Sequence, residues 1–162
     1  VYGVSAFGLS NQTSLNRSEA KALIDAYYET YPQLKDYMRQ QVDFARENGY
    51  VETVLGRRRY LKDINSQNSI VRGAAERNAV NAPIQGSAAD IIKIAMLRIH
   101  EKLNGFESKM LLQVHDELVF DVKKSELNSL TSMIKTEMEQ AYALKVPLVV
   151  DVGIGMNWLE AH

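Results

Sequence analysis

The chain has 162 residues, enough for one cored domain or for two small subdomains sharing a core. With 46% hydrophobic and 24% charged residues it has the composition of a soluble globular protein, and it shows no secretory signal and no apolar run near membrane-span length. Cysteine is absent, which excludes disulfides and thiolate metal sites and fits an intracellular setting. The net charge of -1 leaves any nucleic-acid surface to local clustering, and Arg57-Arg58-Arg59 with Lys62 is the one obvious basic cluster.

In chain order, the N-terminus opens on a Gly-containing turn, after which Asn16 is placed to cap a helix with Glu19 as its capping-box partner. Ala20, Leu23, Ile24 and Tyr27 then recur at helical spacing. Tyr31-Pro32 interrupts this helix, and a second one carries Leu34, Tyr37, Met38, Val42 and Ala45 up to Gly49. Tyr27, Tyr31 and Tyr37 are expected in the core rather than as a base-stacking platform. Residues 50–60 alternate around Leu55-Gly56 and read as a β-hairpin.

Residues 70–82 are helical by pattern, and that helix is expected to end before Pro83, because the residue preceding proline avoids the α region. Ser87 with Asp90 reads as a further cap, opening a helix whose face carries Ile91, Ile92, Ala95, Met96, Ile99 and Leu103. Asn104-Gly105 closes it. Residues 109–114 and 118–122 read as paired strands, so His115-Asp116-Glu117 falls at their tight junction. Ser125 is expected to start a helix bearing Leu127, Leu130, Ile134, Met138 and Ala141, and residues 146–152 a last strand joining the hairpin's sheet. Segregated helices and antiparallel hairpins make this an α+β fold.

Adjacent carboxylates at a hairpin tip are held by the strand ladders on both sides yet stay open to water. Such a tip suits Mg²⁺, which keeps several waters and takes one or two carboxylates plus substrate phosphates. In isolation a His-Asp-Glu run is more often just a polar turn. A His-Asp metallohydrolase would need further histidines, and the chain offers only His100 and His162 besides His115.

Three blocks decide between these readings. Leu112-Gln113-Val114-His115-Asp116-Glu117-Leu118-Val119-Phe120 resembles the last catalytic motif of the family A DNA polymerases. Residues 75–93, beginning Ala75-Glu76-Arg77-Asn78 and running through Asn81, Pro83, Gln85 and Gly86 to Lys93, resemble a second block. Tyr2-Gly3-Val4-Ser5-Ala6-Phe7-Gly8-Leu9 looks like the end of the family's nucleotide-binding helix and the turn after it. The blocks stand in family order with Gly56-Arg57-Arg58-Arg59-Tyr60-Leu61 between them, so the resemblance covers essentially the whole chain.

The resemblance implies an antiparallel palm sheet with a catalytic hairpin at about 109–122, packed by helices, and a helical fingers segment. Residues 1–75 would be the C-terminal part of the fingers and 76–162 part of the palm. It implies primer extension on a DNA template from deoxynucleoside triphosphates, with two Mg²⁺ ions stabilising the attacking and leaving oxygens. Asp116 would be one of two metal-binding catalytic aspartates, Glu117 an auxiliary catalytic acid, and His115 a contact to the primer's terminal nucleotide. Arg77 and Gln85 would probe the primer-template minor groove, where every base pair offers acceptors at purine N3 and pyrimidine O2. Asn81 would contact the template or stabilise its helix, and Tyr2 would bind the nucleotide. Arg57 to Arg59 either track a phosphate backbone or form a solvated hairpin.

The second aspartate and the triphosphate-binding Lys and Arg of the family would precede Val1. The chain is therefore expected to be a fragment of a bacterial, cytoplasmic, nucleoid-associated polymerase, inactive by itself, with the rest of the polymerase chain upstream. A non-catalytic DNA-binding module is one alternative. A single-subunit RNA polymerase relative is the other, which a serine at the position of Glu117 would have favoured.

Overall fold

The computed structural model describes residues 4–161. Contacts divide the chain into two compact units, Val1–Ser87 and Ala88–His162.

In the first unit, α1 (Ala6–Gln12) begins at Ser5, whose hydroxyl accepts from the Gly8 N–H at 3.1 Å. A turn was expected here; the Ser5 cap converts it to a short helix. Helix α2 (Arg17–Thr30) starts with the expected capping box: Asn16 Oδ1 accepts from Ser18 and Glu19, and Glu19 accepts from the Asn16 N–H at 2.8 Å. Pro32 stands at the first position of α3 (Pro32–Asn48), where a missing N–H costs nothing. Gly49 ends α3 at φ 78°. Strands β1 (Tyr50–Glu52) and β2 (Arg58–Tyr60) pair antiparallel, Tyr50 opposite Tyr60.

The tyrosines depart from expectation. Tyr27 and Tyr37 are only half-buried and Tyr31 is 55% exposed. The Tyr27 and Tyr31 rings lie tilted against each other with centroids 5.1 Å apart at the surface, instead of filling the core. The core uses smaller side chains: Ala45, Val51, Leu61, Ile64, Ala75, Ala79 and Ala82, with Val42 packed on them.

The largest correction concerns Pro83. One helix, α4 (Ser69–Lys102), runs straight through it, begun by Asn68 Oδ1 accepting from the Ile70 N–H at 3.0 Å. Proline inside a helix removes a hydrogen bond and crowds the carbonyl four residues back, at a cost of about 3 kcal/mol. Hydrogen bonds at Ser87 and Gly86 hold the helical turn that follows Pro83. The Ser87 hydroxyl donates to the Pro83 carbonyl at 2.5 Å and accepts from the Val54 N–H at 2.9 Å. The Arg57 guanidinium donates to the Gly86 carbonyl at 3.1 Å. Ser87 is thus a brace within the helix and not its cap. Gly86 lies within the helix, and a Cβ there would lie 2.6 Å from Thr53 Cγ2, so only glycine lets the β1–β2 turn come this close.

In the second unit, α4 buries Ile92, Ala95 and Ile99, close to the expected face. Around Ala95, Ile99 and Ala141 pack Ile91, Ile94, Leu103, Leu118, Phe120, Met133, Ile134 and Met138. Strands β3 (Lys109–Val114) and β4 (Glu117–Asp121) form the expected hairpin, with an extra residue, Leu111, bulged out of register in β3. A 3₁₀ turn (Lys124–Glu126) leads into α5 (Leu127–Glu139). Buried Glu137 on α5 pairs with Lys102 at 2.6 Å.

No strand forms at 146–152, and the hairpin's sheet has two strands among the described residues. Val146 and Val149 are 67% and 74% exposed. The valine-rich apolar run there is a strand signal, but a strand exists only where a neighbour accepts its hydrogen bonds. The nearest tie found is the Val150 N–H to Glu139 Oε1 at 3.2 Å. The chain closes with α6 (Trp158–Ala161).

Candidate functional site

The strand ladder sets the hairpin tip. Val114 pairs with Glu117, leaving His115 and Asp116 as a two-residue link. His115 adopts φ 53°, while Asp116 is not in the positive-φ region. That is the sign pattern of a type II′ turn, whose first linking residue is ordinarily glycine. The Gln113 side-chain amide donates to the His115 carbonyl at 2.8 Å and holds the turn shut. Nothing in the sequence pattern marked Gln113 for this task.

His115 and Asp116 are exposed, and Glu117 is half-buried as the first residue of β4. No hydrogen bond or ion pair engages the Asp116 carboxylate among the described residues, and the residue is exposed. Hard oxygen donors on an open tip suit Mg²⁺. Among the described residues no group of three or more His, Cys, Asp or Glu side chains stands close enough to hold a metal. The described residues at the tip do not by themselves form a closed metal cage.

Arg77, Asn81 and Gln85 belong to the first unit. Because α4 continues through Pro83, all three lie on one helix, four residues apart, a stripe about 12 Å long. Arg77 and Gln85 are exposed. Asn81 is half-buried, and its Oδ1 is buried with no hydrogen-bond partner among the described residues. That oxygen therefore does not brace the helix. Tyr2 lies outside the described residues.

The basic cluster flanks this stripe. Arg57, Arg58, Arg59, Gln85 and Gly86 border a recess of about 100 Å³. Arg57 is tied to Gly86, while Arg58 pairs with Glu52 at 2.7 Å and lies 4.3 Å from the Tyr50 ring centre. Arg59 reaches Asn78 Oδ1 only at 3.5 Å. Two of the three arginines therefore serve the local fold.

The sequence profile of DNA polymerase family A matches residues 1–160. The chain belongs to this family. It is 55% identical over 163 aligned residues to DNA polymerase I of Streptococcus pneumoniae, covering 99% of this chain and 19% of that protein. The corresponding enzyme of Caldicellulosiruptor bescii is 51% identical over 99% of this chain and 19% of its own length, and that of Mycobacterium tuberculosis 50% over 97% and 18%. The chain thus spans about a fifth of the curated relatives it matches. Among solved structures, the POL domain of Pol1 from M. smegmatis, in complex with DNA primer-template and dNTP, matches with a TM-score of 0.95. It is 49% identical, over 99% of this chain and 29% of that one. The mixed helical and antiparallel fold agrees with the α+β expectation, and the His115-Asp116-Glu117 tip belongs to a family A chain and not to a metallohydrolase.

Proposed function

We propose that this chain is part of a DNA-directed DNA polymerase that extends a primer on a DNA template from deoxynucleoside triphosphates. The observation that carries the reading is the match, at a TM-score of 0.95, to a polymerase domain solved with primer-template and dNTP. An exposed aspartate on a two-residue hairpin link, with both oxygens unspent, supports it.

Two Mg²⁺ ions, when bound, would supply charge stabilisation at the attacking and leaving oxygens. Asp116 offers a carboxylate for that site, fixed in position by the β3–β4 register. Glu117 stands beside it as an auxiliary acid. His115 faces the primer's terminal nucleotide. Arg77 and Gln85 donate to minor-groove acceptors from one helix face, and Asn81 lies between them toward the template. Tyr2 contacts the incoming nucleotide. Residues 1–75 are the late fingers and 76–162 part of the palm, with the remaining metal ligand and triphosphate grip supplied by other parts of the polymerase. No described helix is long and apolar enough to cross a membrane. We place the polymerase in the cytoplasm, on nucleoid DNA.

Asp116→Ala in the full-length polymerase tests this. Single-turnover incorporation should be abolished while duplex affinity stays largely intact, because metal ligation acts mainly at the transition state. Glu117→Ala should be milder. Near-normal incorporation by Asp116→Ala would remove Asp116 from the site.

A further inference from the structure

The two strands of the hairpin are held unequally. Strand β4 sends Leu118 and Phe120 onto the core formed by α4 and α5. Strand β3 contributes no side chain to that core among the described residues, exposes Leu111 and Leu112, and carries the bulge. Yet β3 leads directly into His115 and Asp116. Its position depends on its pairing with β4 and on what grips its root.

That root is gripped by Glu126. Its carboxylate accepts from the Glu107 N–H at 3.1 and 3.2 Å, from the Ser108 N–H at 3.1 Å and from the Ser108 hydroxyl at 2.6 Å. The Ser108 hydroxyl in turn accepts from the Lys123 N–H at 3.0 Å. The entry to β3 and the exit from β4 are thereby joined through one buried serine and one carboxylate. The Lys123 ammonium, which also pairs with Glu107, adds to the local field. Glu126 stands at the N-cap position of α5, where a short polar side chain such as Ser, Thr, Asp or Asn ordinarily caps the helix. Here it makes no such cap and turns to the hairpin instead.

We propose that Glu126 is a positioning residue for the polymerase step, clamping the root of the β3–β4 hairpin through Ser108 so that Asp116 is held where the metal site needs it. The proposal rests on the reading of Asp116 given above. From Ser108 to Val114 is six residues, about 20 Å along the strand. A swing of about 3° at the root therefore displaces the tip by about 1 Å, an error of the size that costs roughly 100-fold when it falls on a reacting group.

The test uses the full-length polymerase with Glu126→Gln, Ser108→Ala, the double variant and Asp116→Ala. It measures single-turnover incorporation against Mg²⁺ concentration, duplex affinity and thermal unfolding. Glu126→Gln should raise the Mg²⁺ concentration for half-maximal rate roughly 10-fold, as losing the support of a metal ligand does. Excess Mg²⁺ should restore the rate, with duplex affinity unchanged. Ser108→Ala should move the same way by less, and the double variant should fall short of the product of the two. An unmoved Mg²⁺ dependence, or a rate loss that Mg²⁺ cannot restore and that follows the unfolding temperature, would overturn the proposal. Ser108→Ala decides the matter if Glu126→Gln does not fold. If Asp116→Ala is inactive while Glu126→Gln and Ser108→Ala behave as wild type, only the clamp fails. An active Asp116→Ala overturns the site reading and the clamp with it.

Discussion

Gly86→Ala should destabilise the chain although it replaces glycine by the best helix former inside a helix. Taken alone, the exchange favours the helix by about 1 kcal/mol. The opposing term is steric, since the new methyl would lie 2.6 Å from Thr53 Cγ2 and 3.4 Å from Arg57 Nη2. Thr53 cannot turn aside freely. Its Oγ1 accepts from the Leu55 N–H at 3.3 Å and the Arg57 N–H at 3.2 Å, and its β-branch makes χ1 stiff. Overpacking of this kind costs about 1–3 kcal/mol, and an unyielding neighbour places it toward the upper end. The expected net loss is about 1–2 kcal/mol, or a fall in Tm of roughly 2–8 °C for a chain this long. Thr53→Ser removes the offending methyl and keeps the hydroxyl. On that background Gly86→Ala should become neutral or stabilising by up to about 1 kcal/mol. Denaturant unfolding of the four proteins, followed by circular dichroism, gives the coupling directly. An equal loss from Gly86→Ala in both backgrounds would refute the close-approach argument.

Ser87→Ala should cost about 1–3 kcal/mol by the same unfolding assay, because the Val54 N–H loses its acceptor and α4 loses its brace at Pro83; a loss under half of that would return Ser87 to the role of a bystander. Gln85→Ala and Arg77→Ala in the full-length polymerase should slow extension most past a terminal mismatch, on the scale of one hydrogen bond, about 0.5–3 kcal/mol. Replacing the terminal purine N3 by carbon should reproduce the defect, and simple additivity of mutant and analogue would eliminate the contact. The Ser108 hydroxyl and the backbone N–H groups of Glu107 and Ser108 hold the Glu126 carboxyl below its ordinary range. A carboxyl depressed in the folded state contributes stability above its unfolded value, about pH 4.3, and loses it as pH falls through the folded value. The stability difference between wild type and Glu126→Gln should therefore be flat at neutral pH and shrink below about pH 4.3; a difference that grows on acidification would reverse the sign of the argument.

What the sequence made legible was local. The Asn16 capping box, Pro32 at a helix start, Gly49 as a stop and the β3–β4 hairpin each arise from interactions within a few residues, so pattern and structure coincide. The misreadings were decided by distant partners. Pro83 stops a helix unless other contacts hold the turn that follows it, and those contacts come from Val54 and Arg57, about thirty residues away. Residues 146–152 carry a strand pattern without a strand beside them. The tyrosine stripe has helical spacing, but the side chains of α3 and α4 in the core are Ala45, Ala75, Ala79 and Ala82, and the rings stay partly or wholly exposed. At the candidate site, the position of His115, Asp116 and Glu117 at a hairpin tip was readable because they are contiguous. Glu126 and Ser108, which grip the hairpin's root, are ordinary residues of a turn and a strand entry until the fold joins them.

The tip itself explains why an exposed carboxylate can be a precise one. A histidine at φ 53° costs about 1–3 kcal/mol relative to glycine, and a hairpin link selected only for stability would not keep it. It persists because Val114–Glu117 pairing, the Gln113–His115 bond and the anchoring of β4 by Leu118 and Phe120 leave the two linking residues little choice of conformation. Backbone constraints of this kind fix Asp116 without using its oxygens. A carboxylate positioned by hydrogen bonds to its own oxygens would arrive at a metal with part of its donor capacity already spent. Here the ladder, the turn and the grip at the hairpin's root set the position, and they leave the side chain's oxygens without protein partners among the described residues, as the proposed metal site requires.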